Sequence, residues 1–197
     1  EVCVDSVESA LAAERGGATR LELCANLVIG GTTPGYPLFE QVKKETGLPV
    51  RTLIRPRFGD FLYTQYEHRQ MLRDIRHFAQ AGADGVVIGS LNADGTLNTE
   101  QMKEMMEAAG SCAVTMHRAF DVCADPFEAL KKSAELGVDT ILTSGQEADC
   151  LAGCGLLKKL VQLTDQSRSD SRRVTILAGA GVTSANIAEI AKKTGVR

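Results

Sequence analysis

Apolar and polar positions alternate with period two through Glu1-Val2-Cys3-Val4-Asp5 and again through Arg20-Leu21-Glu22-Leu23-Cys24. That is the spacing of a β-strand with two unlike faces. Val2 and Val4 share one face, matched by Leu21 and Leu23, while Glu1, Cys3, Asp5, Glu22 and Cys24 occupy the other. Helical spacing over 7–16 joins the two runs, so they read as neighbouring parallel strands of a βαβ unit. The face turned away from the helix therefore collects three carboxylates and two thiols.

The same pattern predicts seven strands, over 1–6, 20–25, 49–56, 85–90, 113–119, 140–144 and 174–179. A helical pattern follows each, near 7–16, 37–46, 66–81, 99–109, 126–136, 151–165 and 184–194. Helix-to-strand junctions repeat one motif: Gly16-Gly17-Ala18, Gly82-Ala83-Asp84 and Gly137-Val138-Asp139 each end a helix on glycine before an apolar strand. Pro126 suits a first helical turn, and Thr183 or Ser184 is positioned to cap the last helix. Strands alternating with helices imply a parallel sheet with right-handed crossovers. Seven such units and the start of another predict an α/β fold of the (β/α)8 TIM-barrel type. It forms a single domain over 1–197 that lacks its eighth strand and helix. A doubly wound sheet is the competing arrangement. Its strands are apolar on both faces, and the polar faces here favour the barrel.

Loops 26–37 and 57–65 are long for their place after a strand, on the side where barrel enzymes build their sites. The polar run Thr164 to Arg173 reads as a mobile surface loop. Strand parity adds interior candidates: Arg55 with Arg57 at the rim, Thr115 and His117 with Asp121 at the mouth, and Thr143. His117 stands near a strand end and suits a general base, a ligand or a hydrogen-bonded core residue. His68 and His77 lie in a charged helical stretch and are expected in solvent. Arg55 needs a counter-charge, supplied either by the inward carboxylates or by a bound carboxylate or phosphate, which Arg55 and Arg57 would hold with their planar forks. Gly179 and Gly181 resemble half of a barrel phosphate site or simply permit a tight turn.

Composition narrows the class. With 44% hydrophobic and 24% charged residues and a net charge of −3, the chain is globular in character and has no electrostatic footprint for nucleic acid. No apolar run reaches the length that spans a bilayer, so no membrane association is expected. The six cysteines, with no CxxC pair among them, read as reduced thiols rather than a disulfide framework or a zinc site. Cys3 and Cys24 are expected at matching depth on adjacent strands, about 4.8 Å apart. Two inward thiolates at that spacing could bridge one soft ion in near-linear geometry, and soft thiolates select Cu(I). Two small core residues filling a barrel layer would give the same pattern.

Several of these stretches together resemble the CutC family of copper homeostasis proteins. They are Glu1-Val-Cys-Val-Asp-Ser-Val-Glu-Ser-Ala, Leu21-Glu-Leu-Cys, Gly30-Gly-Thr-Thr-Pro, Ile54-Arg-Pro-Arg, Gly59-Asp-Phe, His117-Arg-Ala-Phe-Asp and Leu142-Thr-Ser-Gly. The opening stretch looks like that of an animal member. The resemblance implies a (β/α)8 barrel in the cytosol and also the nucleus, self-associating into dimers or tetramers, and Cu(I) binding with Cys3 and Cys24 as ligands. It brings no settled catalytic activity. Ala178-Gly-Ala-Gly departs from the three consecutive glycines expected there. The alternative is an enzyme acting on a small anionic metabolite, phosphorylated or carboxylate. Arg55 and Arg57 would then position the anion, and Glu22, Asp5 or His117 would move protons. A scaffold whose partner surface is its function is the third reading.

Overall fold

The structure is a computed structural model and describes residues 1–166 and 174–196. All seven expected strands are present: β1 (Val2–Val4), β2 (Leu21–Leu23), β3 (Val50–Leu53), β4 (Gly85–Ile88), β5 (Ala113–Met116), β6 (Thr140–Thr143) and β7 (Thr175–Ala178). The helices are α1 (Val7–Arg15), α2 (Tyr36–Glu45), α3 (Gln65–Gln80), α4 (Thr99–Ala109), α5 (Pro126–Leu136), α6 (Cys154–Gln166) and α7 (Ile187–Thr194). The strands are ordered as they occur in the chain, and the registered pairings are parallel. Contacts group the chain into two compact units: residues 1–88 with 104–114, and residues 89–103 with 115–197.

In the first unit, β1 to β4 lie side by side, and one register row runs Cys3, Glu22, Arg51, Gly85. Their other face packs on helices, where Phe39 and Phe78 meet edge-on with centroids 5.3 Å apart. Helix starts are chemically marked. Ser6 and Ser9 form a reciprocal capping box at α1, and Thr64 and Glu67 form one at α3. His68 is buried rather than solvated. It shares the α3 stripe with Met71, Leu72, Ile75 and Phe78, and its Nε2 meets a Glu104 carboxylate oxygen at 2.8 Å. His77 is exposed as expected, although its ring lies against Tyr36 at 4.4 Å.

In the second unit, Asp125 caps α5 by accepting from the amides of Phe127 and Glu128, and Gly137 ends it with φ 88°. Before α6, Leu151–Gly153 form a turn held by Asp149, so the helix begins later than its apolar pattern suggested. Neither Thr183 nor Ser184 caps α7. The cap position is Asn186, whose side-chain oxygen instead accepts from the Thr183 amide at 2.7 Å. Thr164, Asp165 and Gln166, read above as loop, finish α6, and residues 167–173 lie outside those described.

Candidate functional site

The register of β1 against β2 corrects the expected pairing of the thiols. Cys3 stands opposite Glu22, not opposite Cys24, which lies two residues further along, its amide bonded to the Val4 carbonyl at 2.9 Å. The thiols still meet across this step. Hydrogen-bond contact with Cys3 is the largest cause holding the Cys24 thiol well above its ordinary range, followed by burial and the Glu22 carboxylate. Cys24 is fully buried and Cys3 is exposed. Above Cys24 lies Gly31, with φ 85°. A Cβ there would come within 2.8 Å of Leu53 and 3.7 Å of the Cys24 sulfur.

Glu22 joins the two thiols. It is 4% exposed, and its Oε1 accepts from the Cys24 sulfur at 3.5 Å, while Oε2 is buried with no hydrogen-bond partner. Burial, then Glu1, push its carboxyl up to about 7, against the lowering pull of Cys24, Cys3 and Arg51. Arg51 escaped the sequence reading. It is Glu22's register neighbour on β3 and is 7% exposed, with room made by Gly85, where a Cβ would sit 2.9 Å from Arg51 Cγ. The sequence carried no signal for it, because finding Gly85 beside Arg51 requires the register of β3 against β4.

The other carboxylates leave this cluster. Glu1 pairs with Arg20, and Asp5 is exposed where the chain turns into α1. Asp5 is therefore not the inward proton carrier its parity suggested, because β1 ends at Val4 and the alternation stops there. Arg55 does not answer the carboxylates either. Its guanidinium is held by backbone carbonyls: Nη1 donates to Gly30 at 3.2 Å and Gly31 at 3.1 Å, and Nη2 to Gly59 at 2.9 Å. Arg57 organises its own loop. Nε donates to Glu67 at 2.6 Å, Nη1 to the Phe58 and Asp60 carbonyls, and Nη2 to the Asp60 carboxylate and Leu62 carbonyl at 3.0 Å. An anion on Arg57 would have to displace these bonds, so the expected Arg55–Arg57 clamp is not assembled.

The remaining candidates belong to the second unit. His117 is 4% exposed, and its Nδ1 accepts from the Ala119 amide at 3.1 Å. A backbone N–H can only donate, so Nδ1 is the acceptor in this contact and is engaged by it. Gly89 makes space for the ring, since a Cβ there would fall 2.6 Å from His117 Cε1. Gly89→Ala should therefore lower stability by about 1–3 kcal/mol, read by urea unfolding, because the ring must move from its socket. Asp121 is not at an open mouth but gathers the loop after β6. Its carboxylate accepts from the Thr143 hydroxyl, the Ser144 amide at 2.9 Å, the Gln146 amide at 3.4 Å and Arg118 Nε at 2.7 Å. Gly179 donates its amide to the Thr143 carbonyl, and a Cβ on it would lie 2.4 Å from Leu142. Gly181 has φ 73°. Close packing and turn geometry account for both glycines, and the Gly179 amide is engaged in the β6–β7 ladder rather than presented to an anion.

Among the described residues, no three His, Cys, Asp or Glu side chains are disposed to hold a metal ion. Cys3 and Cys24 bring one exposed and one buried sulfur to the first two strands. Parallel strands alternating with helices define a TIM-barrel-like protein, with a thiol–carboxylate–thiol cluster at its first two strands. A CutC family model matches residues 1–197, and the chain belongs to the CutC family. It is 48% identical to a CutC protein of Bacteroides fragilis over 198 residues, covering 100% of this chain and 76% of that relative. The crystal structure of the CutC of Streptococcus agalactiae, provisionally described as a copper homeostasis protein, superposes with TM-score 0.91 at 30% identity. That match covers 99% of this chain and 93% of the other. An oxaloacetate acetylhydrolase structure matches at TM-score 0.63 and 14% identity, covering 100% and 72% of the two chains, and shares the fold alone.

Proposed function

We propose that this chain binds Cu(I) as its cargo, through the sulfurs of Cys3 and Cys24. The observation that carries the reading is an exposed thiol in contact with a fully buried one. Cu(I) favours soft thiolate ligands over hard oxygen donors, and two sulfurs suffice for near-linear coordination. Cys3 gives the ion an entry point from solvent, and Cys24 removes it from solvent afterwards. Both thiols must lose their protons on binding, so apparent affinity rises with pH, the more so because Cys24 holds its proton tightly. The name carried by the Streptococcus relative points the same way. Self-association into dimers or tetramers, and a location in the cytosol and nucleus, extend the proposal on the family likeness alone.

An anaerobic titration against a chromophoric Cu(I) competitor tests this. One Cu(I) per chain is expected, with Cys3→Ser and Cys24→Ser each weakening binding on the order of 100-fold. Stoichiometry and affinity unchanged in both folded variants would contradict the proposal. The enzymatic alternative has less support, because Asp5 is exposed, Arg57 is engaged and His117 Nδ1 is taken by the Ala119 amide.

A further inference from the structure

Arg55 is 8% exposed, and none of the hydrogen bonds given for its guanidinium reaches a carboxylate. Three carbonyl oxygens and the face of Phe61, 5.0 Å from Cζ to the ring centroid, surround it. Carbonyl dipoles and a ring quadrupole soften a buried positive charge but leave it in place, and a buried charge without a counter-ion is costly. Nε is itself buried and has no hydrogen-bond partner. A guanidinium with Nε open keeps its side edge, the edge that carboxylate and phosphate oxygens prefer. The surroundings are shaped for this group. Gly30 and Gly31, at φ 89° and 85°, turn two successive carbonyls onto Nη1, and a Cβ on Gly30 would lie 3.3 Å from that nitrogen. Thr33 fixes the end of β3 from the same loop, its hydroxyl accepting from the Arg55 amide at 2.8 Å and its amide donating to the Arg55 carbonyl at 2.9 Å. Tyr63 meets the guanidinium, its phenol oxygen accepting from Arg55, and burial pushes that phenol up to about 12, so it stays neutral and adds no counter-charge.

We propose that Arg55 anchors a binding site for a small oxyanion at the carboxyl end of β3, its Nε–H donating to a carboxylate or phosphoryl oxygen. The site is distinct from the proposed copper ligands, and the ligand neutralises a charge that the fold leaves uncompensated. Nε is buried, so a ligand reaches it only when the groups packed around it move aside. Small ligands are therefore favoured over extended ones.

Reduced, metal-free protein tests this independently of copper. Inorganic phosphate and malonate are each titrated at constant ionic strength against chloride, with the Arg55 Nε–H followed by nitrogen-15 NMR and the unfolding temperature recorded. A saturable shift of that resonance and a concentration-dependent rise in unfolding temperature are expected with at least one probe. Which probe saturates identifies the carboxylate or phosphoryl class. Arg55→Lys keeps the charge without the side edge and should weaken binding about tenfold or more. No saturable shift with either probe overturns the proposal, as does equal binding by folded Arg55→Lys. If Arg55→Lys fails to fold, the wild-type Nε–H titration decides alone.

Discussion

Glu22→Gln is expected to stabilise the reduced, metal-free protein by about 3 kcal/mol above pH 7, and by nothing measurable near pH 4. The sign follows from the direction of the shift. Burial, with Glu1 nearby, raises the Glu22 carboxyl to about 7 in the folded chain, against a reference value of 4.5. The native state then binds more protons than the unfolded state between those values, so wild-type stability falls as pH rises from about 4.5 through 7. Above 7 the full cost of an ionised, buried carboxylate is present, with one oxygen unpartnered. Glutamine keeps the shape and an acceptor for the Cys24 sulfur without the charge. Urea midpoints of the two proteins across that range give the difference directly. A pH-independent difference, or a destabilised variant at pH 8, would show that Glu22 is ionised and well solvated in the native state.

The second large effect belongs to Asp121. Asp121→Ala should cost about 3 kcal/mol or more, because it removes the shared acceptor of the Thr143 hydroxyl, two loop amides and Arg118 at once. Its side chain is 6% exposed, so water does not replace the lost oxygen freely. Asp121→Asn keeps one acceptor and should lose less. Chemical denaturation reads both variants. Cu(I) stoichiometry should stay unchanged in the folded fraction, since Asp121 touches neither Cys3 nor Cys24. A loss under 1 kcal/mol in the alanine variant would mean that the loop after β6 is held by something other than this carboxylate.

Much of the architecture is written in the two periodicities, because burial selects the same residues whatever their long-range partners. Alternation marks β1 and β2, and the helix–glycine–strand junction marks where each unit ends. The His68 error was avoidable, since His68, Met71, Leu72, Ile75 and Phe78 already carry the 3.6-residue spacing of a buried stripe. Register was not legible. Which residue of β1 faces which of β2 depends on how the whole sheet staggers, so parity found the right face and the wrong partner for Cys3. The fate of Arg57 depends on a loop without periodicity, although Thr64-x-x-Glu67 signalled a carboxylate held in its reach. Parity likewise predicted a charged interior but not that Arg55 would be met by carbonyls from a glycine pair.

Those partners set Arg55 apart from the thiol–carboxylate row within one unit. The row Cys3, Glu22, Arg51 lies low on the strands, while Arg55 closes the carboxyl end of β3 under its own loops. The proposed copper and oxyanion sites thus rest on different side chains, so each can be tested with variants that leave the other's ligands in place.

Copper K-edge X-ray absorption of the anaerobically loaded protein tests the central claim most directly. Two sulfur neighbours are expected near 2.3 Å, by analogy with other metal–thiolate bonds, with no nitrogen shell, and both should be lost from the spectrum in the Cys3→Ser, Cys24→Ser double variant. A first shell of nitrogen or oxygen, or an unchanged sulfur shell in that double variant, would place the copper elsewhere and contradict the assignment of Cys3 and Cys24.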